Sequence, residues 1–286
     1  LKPCWSKPAL SDHVLLMHRL SRMPYLLGKD QCFALGMLRF LRVVRHAAAQ
    51  PSLFAGGYSA AGPRFPLAAP LVPLPGGQAA AHSSEVLAAI EPLLGEERLE
   101  KIRCVVSQRI FSLVPVLEDL VDKGNIHGIL RTAEALGLGA VHLIDSQYER
   151  DRRGRGVRAA CGASKWLFRT RWRSSDDCLT HLRSSGFKQM IALVPDAPLL
   201  LSDVDWSLPS AVLVGCESTG LSCKAKEAAT HLVRIPTRGF AESFNVSVAA
   251  AIALHSAAES QRRVRCLPDL DAAELEALVA HFASRS

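Results

Sequence analysis

Residues 211–258 constrain what this chain can fold into more than any other stretch. Ala211-Val-Leu-Val214 and Leu232-Val-Arg-Ile235 are short apolar runs, each ending in a turn-prone stretch, and such runs predict buried strands. From Val246 to Ala258 the chain carries no Asp, Glu, Lys or Arg, so the run predicts a buried helix or a packed interface. Asn245, just before it, stands where an N-cap belongs. Two loops at strand ends beside a helix start make the kind of crevice in which α/β sheets hold small ligands. The stretch therefore reads as a cofactor pocket.

Upstream, Leu113–Leu120 reads as a strand turning at Asp122-Lys-Gly124, and a helix is predicted over Asn125–Gly137. Asn125 is placed to cap that helix and Gly137 to stop it. Arg131 has two readings: an (i, i+3) surface pair with Glu134, or a guanidinium that grips a phosphate through two parallel hydrogen bonds. Ala140–Asp145 is a second strand. The Gly137-Leu-Gly139 before it precedes a strand instead of following one and lacks a third glycine, which excludes a dinucleotide loop. A helix over 176–186, a strand over 189–195 with Leu193 near its pocket end, and a linker over 196–210 lead back to the first strand described.

Three segments resemble, in order and spacing, the three motifs of the SpoU/TrmH branch of the SPOUT methyltransferases. They are Asn125-Ile-His-Gly-Ile-Leu-Arg131-Thr-Ala-Glu-Ala-Leu-Gly137, Leu213-Val-Gly215-Cys-Glu217-Ser-Thr-Gly220-Leu-Ser222, and Ile235-Pro236 followed by Ser243-Phe-Asn245-Val-Ser-Val-Ala249. The likeness covers roughly residues 95 to 260, and Cys216 and Phe244 depart from the family's usual residues there. The resemblance implies an α/β fold with a mostly parallel sheet and a C-terminal trefoil knot, a homodimer, and S-adenosyl-L-methionine as methyl donor. It further implies transfer to a ribose 2'-hydroxyl of RNA, foremost guanosine in the tRNA D loop, with ribosomal RNA or a silent RNA-binding role as alternatives. Leu193, Gly215, Glu217, Ile235, Phe244 and Asn245 would hold the cofactor; Asn125, Arg131, Glu217, Ser243 and Asn245 would serve transfer. Because a guanidinium stays protonated, Arg131 is expected to hold phosphate and stabilise alkoxide charge.

Charge locates the RNA-facing and leader segments. Of 34 Lys/Arg and 27 Asp/Glu, residues 1–84 hold nine and two, so residues 85–286 hold 25 of each sign. An acid-poor, Arg-bearing leader resembles a chloroplast or mitochondrial transit peptide, and its Ala/Pro/Gly-rich end cannot readily build a core. The expected division is 1–84 leader, 85–108 helical extension begun by a Ser83 or Ser84 cap, 109–260 methyltransferase domain, and 261–286 C-terminal helical extension with Asp271 near its helix start. Arg150, Arg152, Arg153, Arg155, Arg158, Lys165, Arg169 and Arg171, interleaved with Trp166 and Trp172, form a basic cluster suited to RNA. No apolar run is long enough to span a membrane, the stretch near 33–44 being broken by Arg39 and Arg42. The eight cysteines show no C-x-x-C pair and no His partner at zinc spacing, so reduced thiols and no metal are expected.

Overall fold

A computed structural model of the chain describes residues 64–74, 79–146, 162, 165–264 and 270–286. Residues 1–63, including 33–44, and most of the Arg-bearing segment lie outside them. Two compact units emerge, one containing Ala69–Ile102 and Glu276–Ser286, the other 64–68 and Arg103–Leu275.

In the first unit, β1 (Leu71–Pro73) and β2 (Ala80–His82) pair antiparallel. The predicted single helix is instead two: α1 (Ser83–Ile90) and α2 (Glu96–Val106), separated by a 3₁₀ turn at Glu91–Leu93. Pro92 lacks the N–H that would continue the ladder. Neither serine caps α1. His82 does, its Nδ1 accepting from the Ser84 N–H at 3.4 Å, while Ser83 is buried and donates to Glu276 at 2.7 Å.

The second unit is built on a seven-stranded sheet: β3 (Leu113–Glu118), β4 (Ala140–Ile144), β5 (Phe168–Trp172), β6 (Gln189–Leu193), β7 (Leu199–Leu200), β8 (Ser210–Val214) and β9 (His231–Arg234). Its order is β5-β4-β3-β8-β6-β9-β7 and every neighbouring pair is parallel. Every residue of β3 and β8 is buried, which is why both read as near-continuous apolar runs. At the edge, β5 alternates: Phe168, Thr170 and Trp172 are half-buried while Arg169 and Arg171 are exposed.

Helices α3 (Lys123–Ala135), α4 (Ser175–Ser184), α5 (Cys223–Ala228) and α6 (Val246–Val264) flank this sheet. Ile129, Leu130 and Ala133 of α3 share one apolar layer with Ala250, Ala253, Leu254 and Ala257 of α6. The small alanines let the two helices approach closely, and the run free of Lys, Arg, Asp and Glu is thereby accounted for. On the opposite face, Cys178, Leu179 and Leu182 of α4 pack with Val114, Val116, Ala211 and Leu213. The final helix α7 (Ala272–Ala283) opens on a capping box, Asp271 Oδ1 accepting from Glu274 N–H at 2.8 Å and Glu274 Oε2 from Asp271 N–H at 3.0 Å. No helix among the described residues is long and apolar enough to cross a membrane.

Candidate cofactor site

The carboxyl ends of β6, β8 and β9 open onto a cavity of about 460 Å³. Leu193–Pro195 close one side, Val214–Glu217 and Gly220 the next, Val233, Ile235 and Thr237 the third, and Glu242–Val246 with Ala249 the rim. The loop after β8 folds back on itself. Gly220, at φ 69°, donates its N–H to Cys216 O at 2.8 Å. A Cβ on Gly215 would stand 2.3 Å from the Gly220 carbonyl carbon and the Leu221 nitrogen. Only glycine admits that approach, so the wall beside Gly215 depends on the missing side chain.

Three side chains from three distant segments meet beside this wall. Asn125 Nδ2 donates to Glu217 Oε1 at 2.7 Å, and Asn245 Nδ2 donates to Asn125 Oδ1 at 3.2 Å. Asn245 Oδ1 accepts from Ser247 N–H at 2.9 Å and from Val248 N–H at 3.4 Å, making it the cap of α6 that the sequence predicts. Asn125 is not a cap. Asp122 takes that place on α3, accepting from Gly124 N–H at 2.8 Å, because the helix starts two residues earlier than expected. Freed from capping, the buried Asn125 amide uses both ends to join Glu217 to Asn245.

The remaining predicted residues divide. Leu193, Gly215, Ile235, Ser243 and Phe244 all line the cavity. Cys216 lines it too, and hydrogen bonds from the Ser218 hydroxyl and N–H hold its thiol below the usual range. Arg131 is exposed on α3 and does not line the cavity of its own chain. Its alternative pairing fails, because Glu134 Oε1 is engaged 3.1 Å away by the buried Arg109. Lys165 stands 4.4 Å over the Trp166 ring, and Arg169 and Arg171 project from the exposed face of β5, Arg171 lying 3.9 Å from Asp145. Arg150, Arg152, Arg153, Arg155 and Arg158 lie outside the described residues. Pro195, Thr237 and Glu242 also line the cavity; their signal in the sequence was adjacency to a strand end or motif, too common to single them out. No group of three or more His, Cys, Asp or Glu that could hold a metal occurs among the described residues.

A parallel α/β domain with a largely apolar cavity at its strand ends, walled by a glycine-dependent loop, defines the class: small-ligand binding at the carboxyl edge of a sheet. The SpoU rRNA Methylase family matches residues 112–255, half of the chain, and the chain belongs to that family. It is similar to a tRNA (guanosine(18)-2'-O)-methyltransferase of Borreliella burgdorferi, 28% identical over 59% of this chain and 77% of that protein. A protein of the same name from Aquifex aeolicus is 26% identical, over 68% of this chain and 92% of its own length. The solved structure of an Aquifex aeolicus TrmH/SpoU tRNA modifying enzyme superposes with a TM-score of 0.59 at 25% identity, covering 66% of this chain and 96% of that one.

Proposed function

We propose that the chain is an S-adenosylmethionine-dependent tRNA guanosine 2'-O-methyltransferase. The observation that carries this reading is the junction of Asn125, Glu217 and Asn245 at the cavity wall, within a fold whose relatives bear that name. The residues present fit the cofactor. Leu193, Val233, Ile235 and Phe244 offer an apolar bed for an adenine-sized ring, and Glu217 and Glu242 place carboxylates where a sulfonium would be stabilised. When bound, S-adenosylmethionine supplies an activated methyl group and needs no metal to do so.

The chain supplies orientation and electrostatics. Gly215 lets the Gly220–Leu221 backbone close against it to form the wall, Asn125 fixes the Glu217 rotamer, and Asn245 ties the start of α6 to both. Ser243 faces the cavity beside them. Arg131 serves the acceptor, holding the phosphate beside the reacting ribose and stabilising charge as the 2'-oxygen loses its proton.

A homodimer and the knotted threading of 211–250 belong to the same proposal. Phe244 at the cavity rim and Val248 in the first turn of α6 expose apolar surface, and Arg131 stands outside its own chain's cavity; a second copy answers both. The threading is supported by β8 lying between β3 and β6 and by the TrmH/SpoU likeness. The acid-poor composition of residues 1–84 supports an organellar address, tested by fusing that segment to a fluorescent reporter. Incubation with methyl-labelled cofactor and either tRNA or ribosomal RNA, followed by mapping of the modified nucleoside, tests the activity itself. Label at a D-loop guanosine 2'-oxygen is expected; label confined to ribosomal RNA would overturn the substrate.

A further inference from the structure

Strand β3 ends on Glu118, which is buried at 3% exposure although no Lys or Arg pairs with it among the described residues. Burying a carboxylate is costly unless its oxygens are met by donors. Here three donors converge. Ser175 Oγ and Ser222 Oγ both donate to Oε1, the latter at 2.8 Å, and the Ser222 N–H donates to Oε2 at 2.8 Å. Ser222 closes the loop that forms the cavity wall, two residues beyond Gly220. Its hydroxyl has a second duty, accepting from the Ala225 N–H at 3.2 Å as the cap of α5.

We propose that Glu118 is a positioning residue for the cofactor site, acting through Ser222 on the Cys216–Ser222 wall without touching the ligand. This rests on the methyltransferase reading above. One end of the loop is fixed by β8 and by the close packing of Gly215 against Gly220 and Leu221. The other end is fixed by Leu221, which is buried, and by the pair of bonds from Ser222 to one carboxylate. The carboxylate sits on the interior strand β3, whose ladder to β8 runs from Leu113↔Ser210 to Leu117↔Val214. Glu118 therefore refers the far end of the loop to the same sheet that carries its near end. Losing it frees Ser222 and lets Gly220 drift from the cavity. The Lys224–Asp176 pair at 2.8 Å joins α5 to α4 on the surface, but both side chains are solvated and such a pair constrains little.

The chemistry separates the variants. Glutamine keeps the volume; its amide oxygen can accept from the Ser222 N–H while the two hydroxyls rotate to accept from its NH₂, so Glu118→Gln should be mild. Alanine removes every acceptor. Calorimetry with S-adenosylmethionine, RNA binding, and single-turnover methylation at saturating cofactor are measured on the full chain. Glu118→Ala should raise the cofactor Kd by about thirtyfold and Glu118→Gln by about threefold, the scale of losing paired bonds to a charged group against weakened ones. RNA affinity and the saturated rate should stay within about threefold, since neither the acceptor nor the reacting atoms are touched. Ser222→Ala should raise the Kd about tenfold, Ser222→Thr should restore it, and the Glu118→Ala/Ser222→Ala double variant should be no worse than about the worse single, because both act on one link.

Cofactor affinity unchanged in Glu118→Ala would show a residue that only stabilises the fold, and additive effects in the double variant would sink the link through Ser222. Should Glu118→Ala fail to fold, the contrast between Ser222→Ala and Ser222→Thr decides. A parent protein that binds no S-adenosylmethionine overturns the methyltransferase reading instead, and is seen before any variant is compared.

Discussion

At the scale of single residues, Asn125 spends one amide on two partners. Asn125→Ala would leave Glu217 and Asn245 each short of a bond, which we expect to cost about 1–3 kcal/mol of stability and to weaken cofactor binding, measurable by melting and calorimetry. Arg131→Ala should act oppositely. Cofactor affinity should stay within about threefold while single-turnover methylation falls at least about a hundredfold, the scale of one lost preorganised electrostatic group. A near-parent rate would refute its proposed role. A third residue contributes to acid stability, as the buried His281 also does. Burial, with His181 adding to it, pushes the His142 pKa down to about 3, and its Nδ1 accepts from Trp172 Nε1–H at 2.9 Å, which a protonated ring nitrogen could not do. The folded state holds this imidazole neutral whereas the unfolded chain protonates it near pH 6.5, so its contribution to stability is complete above about 6.5 and is lost progressively as pH drops towards about 3. Melting scans from pH 7 to 4 check this, and His142→Gln should flatten the decline. The motif residues were legible because their types and order are distinctive. The mistaken cap at Asn125 was not correctable from sequence, since Asp122 and Asn125 are both good caps and only the tertiary partners of Asn125 choose between them.

Among the secondary elements, β5 carries two residues of the proposed RNA contact. Its two arginines share one face because strand side chains alternate. If RNA phosphates lie along that face, replacing Arg169 and Arg171 with Ala should weaken RNA binding for every sequence and lower the salt slope by about 1–2. Cofactor affinity should not move, and an unchanged slope would reduce this edge to a solvated strand. The apolar runs made β3, β6, β8 and β9 readable in advance. By contrast, α5 with its six polar and small residues and β7 with two residues carry no periodicity to read. The helical stretch before the sheet was legible as helix but not as two helices, because Pro92 is tolerated in a first turn and breaks the ladder only where the helix is already under way.

For the whole molecule, strand order was the least legible feature. The buried strands β3, β6 and β8 present almost the same apolar pattern, so composition cannot say which lies beside which. The order found has a temporal consequence. Neighbours β3, β4 and β5 follow one another along the chain, but β8 must enter between β3 and β6, bringing Ser210 against Leu113 and Gln189 at once. Contacts so distant in sequence are gained only after a large loss of chain freedom, which slows folding. Pulse-labelled hydrogen exchange during refolding should protect amides of β3 and β4 before those of β8, with completion in about seconds rather than milliseconds. Until β8 arrives, the loop from Cys216 to Ser222 has no sheet to fold back on. The cavity therefore comes into being in the final act of assembly, and a nascent chain can display its basic edge strand well before it can hold a methyl donor.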